Sequence, residues 1–237
     1  GLDANAQHAV TLTSGGTIQG QLDIGTNTAS TLTLNGTGTA QKYSDAVSGA
    51  TTFAGSLIKE GTGTWIADVA LTPANAAVRG GKLVAATNNA LGAGMVTVDN
   101  GANLSSTLQV ASGTRINNAI NLVQGGALDN AGLISGAGAS TGNNGGPALV
   151  QGNTGAATVL NRDGGQIMAN GGGTGLNAVV LSSGGTVTNT GALNGAASEI
   201  FSADGTAVAI DGSAGIVTNS AGARIQSNGS SAGMMFA

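Results

Sequence analysis

Apolar and polar residues alternate in short runs along nearly the whole chain. Val10-Thr11-Leu12-Thr13, Thr31-Leu32-Thr33-Leu34, Met95-Val96-Thr97-Val98 and Thr107-Leu108-Gln109-Val110 all have a period of two. That pattern predicts β-strands, with successive side chains on opposite faces. Breakers close the runs at Gly15-Gly16, Asn35-Gly36, Asn100-Gly101, Gly125-Gly126, Gly164-Gly165 and Gly184-Gly185. The strands are therefore about four to six residues long. Asn75 to Val84 comes nearest to a helical period, and Gly80-Gly81 interrupts it.

A longer period lies over the short one. Leu128-Asp129-Asn130-Ala131-Gly132-Leu133-Ile134 returns as Val159-Leu160-Asn161 with Gly164 and Ile167. It returns again as Val187-Thr188-Asn189-Thr190-Gly191-Ala192-Leu193, and as Val217-Thr218-Asn219 with Gly222 and Ile225. The asparagines Asn130, Asn161, Asn189 and Asn219 thus recur at a nearly even interval. A second apolar phrase sits in each interval, at Ala148-Leu149-Val150, Ala178-Val179-Val180-Leu181 and Ala207-Val208-Ala209-Ile210. Self-similarity at a period of about 30 residues marks a stacked repeat.

Some Asn-Gly sites would suit hairpins, but a period of about 30 residues holds three short strands and three corners. The expectation is an all-β, single-stranded parallel β-helix (a β-solenoid) of about eight to ten coils, a rod on the order of 40 to 50 Å long. Val187 and Leu193 are expected inside, beside Val159 and Ile167 of the coil below. The four asparagines are expected to stack as an internal ladder, each amide bonding the next coil.

Composition supports a thin core repeated along an axis. There are 43 glycines and five aromatic residues (Tyr43, Phe53, Trp65, Phe201, Phe236), too few large side chains for a conventional core. Two prolines, 8% charged residues and evenly spaced Val, Ile and Leu argue against disorder. The seven cations, Lys42, Lys59, Arg79, Lys82, Arg115, Arg162 and Arg224, form no stripe and the net charge is -4. Nucleic-acid binding and attraction to an anionic membrane are not expected. No run approaches the ~18 apolar residues of a membrane helix, and the first residues lack signal-peptide character. The absence of cysteine fits an exported protein that folds without disulfides and is equally compatible with the cytosol.

The residues that carry chemistry are sparse. Gly229-Ser230-Ser231-Ala232-Gly233 matches the nucleophile-elbow pattern, but the one histidine, His8, belongs to the other end of a rod. Gly172-Gly173-Thr174-Gly175-Leu176-Asn177 is a single copy of a calcium-roll phrase with Asn in place of the carboxylate. Glu199, Asp204 and Asp211 read as solvated charges on different strands. Arg162-Asp163 is an isolated pair, short of the basic and acidic cluster a polysaccharide lyase requires. Trp65 reads as core-facing, although it and Tyr43 could stack on a sugar. No catalytic, cofactor-binding or metal-ligating residue is assigned, no cofactor is expected, and the chain is read as a non-enzyme.

One stretch is more specific than a generic repeat. Gly55-Ser56-Leu57-Ile58-Lys59-Glu60-Gly61-Thr62-Gly63-Thr64-Trp65 is followed by Val78-Arg79-Gly80-Gly81-Lys82-Leu83-Val84. Asn88-Asn89-Ala90-Leu91-Gly92-Ala93-Gly94-Met95-Val96-Thr97-Val98 comes next. It resembles the passenger-associated repeat of bacterial autotransporters, with its Leu-x-Lys-x-Gly-x-Gly-x-hydrophobic opening, Gly-x-Leu close and Asn-x-Leu-Gly-x-Gly sequel. Thr72-Pro73-Ala74-Asn75-Ala76 stands where that family has an Asn-Thr-Tyr-Thr-Gly-like segment. The later Val-x-Asn-x-Gly-x-Ile phrase is similar to repeats of large surface proteins of the same kind.

The resemblance implies one continuous right-handed parallel β-helix over 1–237, with the passenger-associated region at 55–104 and the array of long-period repeats at 128–237. It implies export to the outer surface of a Gram-negative bacterium, anchored through a region outside this chain. No series of membrane strands for a translocating barrel appears. Met234-Met235-Phe236 falls where the next inner strand is due, so a fragment ending partway round a coil is expected. The implied function is adhesion or cell–cell self-association through a polar face, with the partner another copy or surface glycans or proteins. The alternatives are a structural stalk that presents a distal domain and, less favoured, a polysaccharide-cleaving enzyme.

Overall fold

The computed structural model describes residues 5–101, 105–136, 147–170, 175–191, 195–229 and 233–236. Their strands pair in parallel throughout. Strands that are neighbours in space lie one circuit apart in sequence, which is the defining order of a parallel β-helix. The first face carries ten strands, the second eight and the third five, preceded by a separate two-stranded piece. Ten passages through the first face fall at the upper end of the expected coil number. The one helix among the described residues is a single turn, Tyr43–Ala46.

The alternating runs form strands because every second residue meets the same position of the coil below. On the first face, Leu32, Leu57, Ala76, Val96 and Ile120 are successive register partners, and all are buried. On the second face, Trp65, Leu83, Leu108, Leu128, Val159 and Val187 form the facing column. The third face is closed by Ile116, Ile134, Ile167, Ile200 and Ile225. A narrow core of this kind needs little aromatic bulk, because each apolar residue packs against its counterparts above and below.

The asparagine ladder is present. Asn130 Nδ2 donates to Asn161 Oδ1 at 2.7 Å, Asn161 to Asn189 at 2.8 Å and Asn189 to Asn219 at 2.8 Å. Each amide also donates to a nearby carbonyl, for example Asn161 to Gly165 O at 2.8 Å. The ladder extends a column that begins with Ala67, Ala85 and Val110, so the corner changes from apolar to amide at Asn130.

One sequence expectation changes. Val187 does stack on Val159, but the residue over Ile167 is Ile200, and Leu193 lies outside the described residues. The turn after Asn189 is longer than those after Asn130 and Asn161, so the isoleucine arrives later and the motif spacing does not follow. Among the described residues the coil length varies along the rod. Ile120 pairs with Val150, a full period on, whereas Leu57 pairs with Ala76, well short of one. In those short coils the third face narrows to a single bridge, Leu71 to Leu91. Met234–Phe236 pairs with Val208–Ile210 as the next strand of the first face.

Candidate functional site

The short coils create a recess at the edge between the first and second faces. The strands Ser56–Lys59 and Thr64–Ala67 are joined only by residues 60–63, and Asn75–Val78 and Gly81–Ala85 only by 79–80. On either side the connections are longer, at 36–40 and 100–105. The resulting recess of about 650 Å³ is lined by Asn35, Glu60, Gly61, Arg79, Asp99, Gly101 and Gln124.

Register places its charges. Lys59 and Val98 both pair with Val78, so Glu60 and Asp99 flank Arg79 one coil below and one above. A guanidinium between two carboxylates gives a recess of alternating sign and net charge of -1. Such a surface suits a neutral partner rich in hydroxyls or amides, which can donate and accept along the line. Arg79 also borders a second hollow of about 440 Å³ on the outward first face, where Thr31, Ser56, Ile58, Ala77, Met95 and Thr97 contribute. Small Ala77 between Ile58 and Thr97 deepens that hollow.

The walls are held by local bonds. Asn35 Oδ1 accepts from Gly36 N at 2.7 Å, and Asn35 O accepts the Trp65 indole N–H at 3.0 Å. Asp99 Oδ1 accepts from Gly101 N at 2.9 Å. Gln124 has a left-handed backbone, φ 52°, unusual for a residue with a side chain.

The floor is held from inside by Lys59. Alternation along Leu57-Ile58-Lys59 sends this side chain into the core, in the column of Leu34 and Val78, and it is fully buried. Its ammonium donates to Glu60 O at 2.6 Å, Gly61 O at 2.9 Å and Gly80 O at 2.9 Å, tying the two tight turns together. Burial pushes its pKa down to about 8, with the Glu60 carboxylate opposing that shift. Lys59 was legible only as a motif position. Its parity with Leu57 was the available signal that it points inward.

The other candidate residues do not converge. Trp65 and Tyr43 are both buried, so neither offers a face for a sugar. Arg162 is occupied by Asp129, 2.6 Å away, and by Asp163; the Asp129 hydrogen bond chiefly raises the arginine's pKa. Glu199 lies on the third face, whereas Asp211 follows the first-face strand Val208–Ile210. Asp211 is partly exposed, although its Oδ1 is sealed from solvent without a partner. His8 sits before the first strand, where its backbone N–H donates to Ser30 Oγ at 3.1 Å. Ser230 and Ser231 lie outside the described residues, as do residues 172–174 of the Gly172–Asn177 phrase. No group of three or more His, Cys, Asp or Glu among the described residues could hold a metal.

The fold and the recess define a parallel β-helix with a polar cleft along one edge. No family model, curated protein or solved structure matches the chain.

Proposed function

We propose that this chain is a surface-exposed passenger segment of an autotransporter-type bacterial protein, acting in adhesion or cell–cell self-association. The observation that carries the reading is the recess at Glu60, Arg79 and Asp99, with its continuation onto the Thr- and Asn-lined outward face. A β-helix repeats such positions at about 4.8 Å, so weak polar contacts recur along a line and add through multivalency. The favoured partner is a hydroxyl-rich glycan on a neighbouring or host cell, bound outside the outer membrane.

A second reading, a stalk for a distal domain, is favoured by the continuous isoleucine and asparagine ladders, which suit a stiff spacer. Surface display of the segment, compared with a version whose outward first-face polar positions are scrambled, separates the two. Cells that clump with the native face and disperse with the scrambled, correctly folded one support adhesion. Equal clumping rejects adhesion and leaves the stalk.

A further inference from the structure

The recess opens sideways onto a hollow that its charges do not explain. On the outward side of the first face, Ile58, Ala77 and Thr97 form a column beside the edge residues Glu60, Arg79 and Asp99. Ser56 and Asn75 begin a further column on the other flank. Ala77 is the small member of the middle column, so a dip one side chain deep lies between Ile58 below and Thr97 above. Asn75, Arg79 and Met95 ring it, within the hollow of about 440 Å³. Met95 is the telling member. The large apolar side chains that stand exposed among the described residues are Met95, at 38%, and Ile216, Met234, Met235 and Phe236. The last four belong to the last described coil. Met95 alone stands so in mid-rod, and it stands at the rim of the dip.

Polar groups flank this apolar dip on both sides. Arg79 lines the hollow as well as the recess and takes part in no ion pair among the described residues. Asn75 is exposed on the opposite flank. Asp99 commits Oδ1 to Gly101 N at 2.9 Å, which leaves Oδ2 to accept. An apolar notch with cationic and amide donors beside it and a carboxylate beyond matches an acetamido group. The methyl enters the notch, the carbonyl accepts from Arg79 or Asn75, and the N–H donates to a carboxylate. The remaining sugar hydroxyls then lie along the recess. A plain hydroxyl at that position would leave the dip unfilled, and an ammonium would set a charge over apolar surface. Methionine suits the rim, because its flexible thioether chain fits irregular shapes. An extended peptide also carries amides, but it lacks the hydroxyls that the recess of alternating sign pairs with.

We propose that the hollow at Ala77 is a subsite for the acetamido group of an N-acetylated amino-sugar glycan, an inference that rests on the glycan-binding reading above. Calorimetric titration of the whole chain with chitopentaose and with cellopentaose tests it. Cellopentaose has a hydroxyl wherever chitopentaose has an acetamido group. The expected result is at least tenfold tighter binding of chitopentaose, since one small apolar group in a fitted pocket is worth about 10- to 200-fold. Ala77→Leu fills the dip and removes that preference, and Ala77→Ser, which changes the volume little, narrows it. Thr33→Leu, two coils below in the same column and outside the hollow, leaves it intact. Circular dichroism establishes that each variant retains its strands. Equal affinity of the native chain for the two sugars overturns the subsite and leaves the glycan reading standing, whereas binding of neither overturns both. An undiminished preference in Ala77→Leu overturns the placement. Tighter binding of an acetylated trialanine peptide than of chitopentaose also overturns it and assigns the hollow to a protein partner.

Discussion

At the scale of single residues, position within a column decides what a side chain is worth. Asn161 is fully buried and bonded above and below, so Asn161→Ala leaves Asn130 and Asn189 each short of a partner. It should cost about 3–5 kcal/mol, since each stranded buried group costs about 1–3 kcal/mol. Asn219→Ala, at the exposed end of the same ladder, should cost about 1 kcal/mol or less; urea midpoints of the two variants compare them. Lys59 makes a separate prediction. Lys59→Met strands the carbonyls of Glu60, Gly61 and Gly80 and should destabilise the fold by about 2–4 kcal/mol at pH 7. The lysine's pKa is about 8 in the fold against an ordinary 10.5. Below pH 8 it is charged in both folded and unfolded chains, and the burial penalty stands in full. Between pH 8 and 10.5 the unfolded chain holds the proton and the folded chain does not, so stability rises with pH. The margin of the native chain over Lys59→Met should widen by up to about 3 kcal/mol across that window. Unfolding curves at pH 7 and pH 9.5 measure it, and an unchanged margin would contradict the burial account.

Turns, rather than strands, individualise the elements. The strands were legible because alternation needs only neighbouring residues; Thr31–Asn35 and Ser106–Val110 form almost where the pattern places them. The ladder was legible because asparagine recurs at one corner. What the pattern concealed depends on turn length, which has no periodic signature. Ile200 replaces Leu193 because one turn is longer, and the recess exists because two turns are short. Gly81 shows how tightly those short turns pack. At φ +60° a Cβ there would lie 2.3 Å from Gly63 O, whereas Gly113, at φ +75°, faces open space. Gly81→Ala should therefore cost several kcal/mol, through strain and a backbone collision. Gly113→Ala should cost only about 1 kcal/mol of strain. Parallel thermal melts give the comparison, and equal losses would show that the stacking of the turns is not what matters.

At the scale of the whole molecule, the inside and the outside are written by different residues of the same strands. The inward columns stack, and the outward side carries the charged recess at Glu60, Arg79 and Asp99 beside the apolar dip at Ala77. Neither was legible beforehand, because their members lie a whole coil apart in sequence and meet only when the register is known. The proposed adhesive role rests on the recess. The most direct test is the binding of purified, fluorescently labelled chain to cells that display the segment, measured by flow cytometry for the native chain and for Arg79→Ala/Asp99→Ala. Saturable binding by the native chain, with at least a tenfold loss in the folded double variant, is the predicted result. Equal binding by the two would contradict the adhesive role.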